Sequence, residues 1–336
     1  MIIGEDMNGA GWRSIPLTLS AVAYCVSNEI AGDLQQYSPN WAAVWVPEKE
    51  LNGNYAYIAY NEKVNQYCVA IRGSVLSFSW EAFQDWFEQD FDVLSQQAWN
   101  YPPGNNVYIS SGAGKGLTDL ATLVATVDGK SYTMLQFLLK VLPEKKASLA
   151  VVGHSLGGGL ATVVAPWLHY QIQTAGQKIP NITVVTFAAP SVGNQNFANA
   201  YDAMFGNLSL RYYNSIDIVP MASGSIADIG SLYSPAPEAY NIGVIYDGFP
   251  VTLQAGIILV AGVVEGVEWW DTSYYTQTNQ TNGSVELNPE ETLCDFLNED
   301  LLLQWFDQAG CHHSLATYFK YVGGTPIDCT ASLAMP

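Results

Sequence analysis

The sequence predicts an α/β fold: a mainly parallel central sheet with helices on both faces and a cap or lid insertion over it. Three observations carry this. The runs "ASLAVV" and "ITVVTFAAP" are strand-length and largely apolar, as strands covered on both faces require, and "LSLRYYN" reads as a further strand. Helical patterns stand between them, which is the alternation of a parallel sheet with crossover helices. No Pro/Ser-rich linker, repeat or low-complexity tract divides the 336 residues, so they are read as one domain, 1–336.

Taken in order, "WRSIPLTLSAVAYCVS" is apolar enough to suggest the core of a secretory leader. Acidic Glu5 and Asp6 lie upstream, only Arg13 supplies positive charge, and no small-residue cleavage site follows. It is read as a buried first helix near Pro16 to Asn28. "YAYIAY" and "QYCVAIRGS", joined by the polar "NEKVN", form an antiparallel hairpin. An aromatic-rich segment runs from Val75 to Trp99. "GKGLTDLATLVATV" and "SYTMLQFLLKVL" repeat apolar residues at three- and four-residue steps and are read as helices. "LGGGLATVVAPWLHYQIQ" and "GNQNFANAYDAMFG" are the helices between the buried strands, the second stopped by Gly206. From about 226 to 288 the alternation lapses into Gly, Tyr, Trp and Asn, and this stretch is assigned as a cap-like insertion. "NPEETLCDFLNEDLLLQWFDQAG" and "HHSLATYFKYV" return to helix.

Composition excludes several function classes. With 49% hydrophobic residues the chain can fill a large core. Its 12 Lys+Arg against 31 Asp+Glu give −19, which is not the basic footprint of a nucleic-acid binder. An anionic membrane would repel it, so lipid contact must be made through apolar groups. "GFPVTLQAGIILVAGVVEGVEWW" has an uninterrupted apolar core only from Ala255 to Val264, against the ~20 residues a bilayer span needs. No transmembrane segment is expected. Five cysteines leave at least one unpaired; Cys294, Cys311 and Cys329 lie close together and suggest one disulfide. Low charge and abundant Tyr, Trp and Asn lean towards a secreted protein, although no leader is recognisable in this sequence. "SGAGKGLTD" lacks the first Gly and the Ser/Thr of a phosphate loop, and no HExxH-type cluster exists. No cofactor and no metal are implied.

The chemistry concentrates at Gly153-His154-Ser155-Leu156-Gly157, a G-x-S-x-G between a buried strand and a helix. That context presents a serine on a strained turn whose flanking glycines leave no room for side chains. A serine hydroxyl needs a base, and the base an orienting acid. Of four histidines, His154 neighbours the serine and points away across the turn, and His169 lies in the following helix; His312 and His313 remain. Asp217 in "YNSIDIVP" follows a parallel strand at its C-terminal end, where ligand-handling groups of such sheets collect. The same residue reads equally well as an Asx-turn before Pro220.

"VVGHSLGG", "TFAAPSVGNQNFA", "YNSIDIVP", "HSLATYF" and the upstream "VAIRGS" together resemble, in order, the class 3 lipases, the fungal-lipase-like branch of the α/β-hydrolases. The resemblance implies an α/β-hydrolase fold and a serine carboxylic-ester hydrolase, acting on acylglycerols. Ser155 would be the nucleophile, Asp217 the acid, and His313, chosen over His312 by its spacing to Tyr318, the base. The oxyanion hole would use the N–H of Leu156 together with the N–H and hydroxyl of Ser74. Alternatives are a phospholipase A1, a feruloyl-type esterase, or a lipase-like scaffold without catalysis. The ester substrate, small or lipid, would be met at a lipid–water interface in the lipase case. The spacer after Ser74 and the 96 positions between Asp217 and His313 exceed the family pattern. Residues 75–92 are the lid candidate. Val75, Leu76, Phe78, Trp80, Phe83, Trp86 and Phe87 form either a lid face that opens onto lipid or an ordinary connection with its side chains in the core. "AGIILVAGVV" reads as an acyl-binding wall or a buried cap helix.

Overall fold

In the computed structural model, seven strands lie side by side in sequence order. They are β1 (Ala42–Trp45), β2 (Ala56–Asn61), β3 (Gln66–Ile71), β4 (Ser148–His154), β5 (Ile182–Phe187), β6 (Ser209–Tyr213) and β7 (Ser284–Glu286). The structure describes residues 11–329 except 75–77, 86–94, 179, 222–224, 234–236, 261–274, 280–281 and 296–299. The pairs β1–β2 and β2–β3 are antiparallel, and every later pair is parallel.

Alternation along β4 assembles the core. Leu149 and Val151 face a cluster with Ile58 and Val69 of the sheet and the apolar sides of α3 (Ser111–Thr122), α4 (Met134–Lys145), α5 (Leu156–Thr174) and α6 (Gln195–Phe205). Ala150 and Val152 face the opposite cluster, built from α1 (Gly11–Val22), α2 (Ile30–Tyr37) and α8 (Leu315–Val322). Successive strand residues point to opposite faces, so a run apolar at every position needs cover on both sides, and here it has it. A third cluster lies over the C-terminal end of the sheet. It joins Trp80 and Phe83 to Ile218, Tyr233, Val244, Leu253, Ile257 and, from α7 (Leu301–His313), Trp305 and Phe306.

Several elements differ from the sequence reading. The first helix spans Gly11–Val22, and residues 23–29 leave it through turns at Ala21 and Val22. "VATV" is not helix. Val124–Val127 pairs with Lys130–Thr133 around Asp128-Gly129, whose φ of 51° and 72° make the two-residue hairpin turn that Asp-Gly favours. The following helix therefore begins at Met134, where Thr133 and Gln136 form a capping box. Residues 284–286 do not belong to the cap: they form β7 and extend the main sheet beside β6. Between β6 and β7, Gly243–Tyr246 pairs with Phe249–Thr252, and a helix covers 253–260; the rest of "AGIILVAGVV" lies outside the described residues. The last-but-one helix starts only at Leu301, capped by Asp300, and 289–295 is irregular. Two disulfides join Cys25 to Cys329 and Cys294 to Cys311, so Cys329 pairs with the turn after the first helix, not with its late neighbours; Cys68 is free and buried. Among the described residues no helix is long and apolar enough to cross a membrane.

Candidate active site

β4 ends at His154 and α5 begins at Leu156, leaving Ser155 alone on the corner with φ 59° and ψ −136°. A side-chain-bearing residue pays strain in this region, and strain of this kind gathers at functional sites. Crowding explains the glycines: a Cβ at Gly153 would fall 2.1 Å from the Gly157 carbonyl, and one at Gly157 would fall 2.3 Å from that of Ile71. The start of α5 thus presses against the end of β3. Gly73 is squeezed in the same way, its Cβ position 3.0 Å from Ser155 Cβ, so Arg72-Gly73-Ser74 passes directly beside the elbow.

His313, the last residue of α7, reaches the corner from above. Its Nε2 is 2.8 Å from Ser155 Oγ, and its Nδ1 is 3.0 and 3.1 Å from the two Asp217 oxygens. Asp217 sits after β6 and has no exposed surface. It also accepts from Tyr318 O–H at 2.9 Å and from the Val219 N–H at 3.0 Å. Both sequence readings of Asp217 are therefore present at once: it closes an Asx-type turn and it holds the imidazole. Burial and the neighbouring carboxylate push the Tyr318 hydroxyl well above the usual tyrosine range, which keeps it a donor.

His312 is elsewhere engaged. Its Nε2 bonds Gln308 Oε1 at 3.1 Å and its Nδ1 accepts from Asn214 Nδ2 at 3.3 Å. Burial lowers its pKa to about 4. His169 lies within α5. His154, left aside in the sequence, packs its ring 4.9 Å from that of His313. Sequence reasoning missed His154, Tyr24 and the hydrogen bond of Tyr318; the first two carry no local signal, since their partners lie 130 and 159 positions away.

Of the lid candidates, Trp80 and Phe83 stand on the short helix Trp80–Asp85, 4% and 1% exposed, in the cap cluster. Trp80 Nε1 donates to the Ile245 carbonyl, and its indole lies where a Cβ of Gly256 would be. The Phe78 ring lies 5.7 Å from the His313 ring, tilted by 53°, and touches α7 at Gly310. Val75, Leu76, Trp86 and Phe87 lie outside the described residues. Leu156 and Ser74 are both partly buried, and each adjoins in sequence one of the two glycines, Gly157 and Gly73, at which the segments meet. Among the described residues no group of His, Cys, Asp and Glu is arranged to hold a metal.

The class 3 lipase family model matches residues 68–226, from β3 through the elbow to the residues after Asp217. The chain is a homologue of the class 3 lipases. A Caenorhabditis elegans lipase, ZK262.3, is 30% identical over 180 residues, 53% of this chain and 43% of its own length. Phospholipase A1-II 3 of Oryza sativa subsp. indica is 24% identical over 205 residues, 58% of this chain and 49% of its own. The chain thus spans less than half the length of these curated relatives. The crystal structure of M37 lipase matches with a TM-score of 0.73 at 26% identity, over 93% of this chain and 92% of that one. A Rhizomucor miehei lipase–propeptide complex matches at 0.50 and 22% identity, over 65% and 64%. The fold of this class 3 lipase homologue is the α/β-hydrolase fold, with a mixed, mostly parallel seven-stranded sheet.

Proposed function

We propose that the chain is a serine carboxylic-ester hydrolase acting on acylglycerol lipids. The observation that carries this reading is the unbroken line from Ser155 Oγ through His313 to Asp217 on a strained strand-to-helix corner. In the proposed mechanism His313 takes the Ser155 proton as Oγ attacks the ester carbonyl, and the Asp217 carboxylate stabilises the imidazolium. The N–H groups of Leu156 and Ser74, with the Ser74 hydroxyl, hold the oxyanion; loss of one such donor costs about 10²–10³ in rate. His313 then protonates the leaving alkoxide, and water releases the acyl-enzyme by the same steps.

Two features support an uncharged lipid surface as the place of action. From Tyr212 to Phe319 the chain has 14 Asp and Glu and no Lys or Arg. On the cap the large side chains of Tyr240, Ile245, Phe249, Ile258 and Leu259 are exposed. Phospholipase A1 activity is the second reading, since several relatives carry that name. An inactive scaffold is disfavoured by the complete hydrogen-bonded line.

The test is a series of esters, from short soluble chains through emulsified triacylglycerol to phosphatidylcholine and feruloyl esters, with wild type and Ser155→Ala. Wild type is expected to cleave acylglycerol esters, and the variant to lose at least about 10³-fold in kcat. Retention of activity by the folded variant would refute the assignment of Ser155. A folded wild type inert on every ester would point to the scaffold.

A further inference from the structure

Two buried side chains stand beside the three proposed catalytic ones without a part in the reaction. His154 is 4% exposed and has both ring nitrogens engaged, Nε2 at 3.0 Å from the His313 carbonyl and Nδ1 at 3.1 Å from Tyr24 Oη. A carbonyl only accepts, so Nε2 carries the hydrogen, and the bare Nδ1 accepts from the Tyr24 hydroxyl. Tyr24, on the turn after α1, accepts in turn from the backbone N–H of Gly73; a Cβ on that glycine would fall 2.3 Å from the hydroxyl. The donors therefore point one way, from Gly73 to Tyr24, from Tyr24 to His154, and from His154 to His313. Bonds aligned in this sense polarise and strengthen one another in a low-dielectric interior.

The ends of this chain are what give it meaning. Gly73 adjoins Ser74, the proposed oxyanion donor, and His313 is the proposed base; one comes from the first quarter of the sequence, the other from its end. Burial holds His154 well below the usual histidine range and Tyr24 above the tyrosine range, so both stay neutral. Neutrality matters because the His154 ring lies 4.9 Å from an imidazole that becomes cationic, and a second charge there would oppose it.

We infer that Tyr24 and His154 are positioning residues for the proposed ester hydrolysis, their hydrogen bonds fixing the oxyanion segment Gly73–Ser74 relative to His313. The inference rests on the assignment of Ser155, His313 and Asp217. Neither residue touches substrate, so the effect is on geometry at the reacting atoms.

Tyr24→Phe keeps the ring and removes the hydroxyl with all its hydrogen bonds, including the 3.4 Å one to the His154 carbonyl. On a short soluble ester it is expected to lower kcat roughly 10- to 100-fold with KM unchanged. Labelling by a fluorophosphonate, counted per active site, should slow by the same factor. His154→Gln keeps an amide N–H for the His313 carbonyl and should retain more activity than His154→Leu. Independently of activity, ¹⁵N NMR of histidine-labelled wild type should read His154 as the neutral Nε2–H tautomer from pH 8 to 5. Wild-type kcat and labelling rate in Tyr24→Phe would overturn the inference, as would the Nδ1–H tautomer. A kcat that falls only with the folded fraction, at unchanged labelling rate per site, would reduce the pair to a structural role and overturn it too. A wild type that neither hydrolyses nor labels sinks the hydrolase assignment and this inference with it, even where the tautomer is as expected.

Discussion

The carboxylate of Asp217 accepts from His313, Tyr318 and the Val219 N–H, and with no exposed surface it has no water to replace a lost donor. Such satisfaction is what a buried ionised group requires. The adjacent His312 illustrates the opposite solution, a histidine kept neutral. Its pKa falls to about 4 through burial, against about 6.5 in an unfolded chain. Between those values, acidification protonates the unfolded state and not the folded one, so stability rises with pH across the window and is lost as pH falls through it. His154, lowered in the same sense, adds to the slope. Thermal melts from pH 7 to 4 should show this loss, at most about 1.4 kcal/mol per pH unit for each histidine. His312→Gln should flatten the slope below pH 6.5; an unchanged slope would mean that His312 titrates normally. Preferring His313 over His312 rested on the family spacing, because two adjacent helical residues differ only in the direction they face, and direction is decided by partners such as Asn214 and Asp217, after β6, and Gln308 of α7.

At the scale of elements, what was legible in the sequence was what local physics specifies. The β4–elbow–α5 unit and its alternation with β5 and β6 follow from continuous apolar runs and from glycines crowded to within 2.3 Å of backbone. β7 was not legible: Ser284-Val285-Glu286 is a short, half-polar edge strand, recognisable only by its register with Arg211–Tyr213. The Val124–Thr133 hairpin was missed because helical spacing of its valines outweighed the Asp-Gly turn signal between them. The proposed catalytic residues Ser155, Asp217 and His313 carry sequence signals, whereas the Tyr24–His154 contacts do not, since they exist only after distant elements meet. The Cys294–Cys311 bridge ties the irregular segment before α7 to the turn that carries His313. Gln308 reinforces it, exchanging hydrogen bonds of 3.0 and 2.7 Å with the Cys294 backbone. Closing a loop over a separation of 17 residues is worth about 3 kcal/mol in the unfolded-chain model. The double variant Cys294→Ser/Cys311→Ser should therefore melt several degrees lower. Its kcat should fall more than its KM rises, since the loosened turn presents His313, the proposed base. A Tm equal to that of wild type would show that the bridge does not constrain α7.

Over the whole molecule charge and hydrophobicity are segregated. Several of the 12 basic residues, Lys63, Lys145, Lys146 and Lys178 among them, cluster near the N-terminal ends of the parallel strands, while the sequence from 212 to 319 holds 14 acids and no base. Within that acidic stretch, Ile245 and Phe249 on the cap hairpin are 58% and 69% exposed. The hairpin is fastened through the Ile245 carbonyl to Trp80, two residues from the Phe78 that covers His313. An apolar tip in a negative field can enter a neutral lipid surface and is driven from an anionic one, over a Debye length of about 8 Å at physiological salt. Hydrolysis of a neutral diacylglycerol dispersed in phosphatidylcholine vesicles should therefore exceed that in phosphatidylglycerol vesicles at low salt. Raising salt to about 1 M should close the gap by screening, while leaving soluble-ester turnover alone. Phe249→Asp should weaken vesicle binding at least about tenfold, the cost of losing one buried aromatic, and leave kcat on the soluble ester unchanged. Equal rates on both vesicles at low salt would remove the electrostatic part of this account. Unaltered vesicle binding by Phe249→Asp would instead remove the hairpin from the contact and leave the charge argument standing on the rest of the cap.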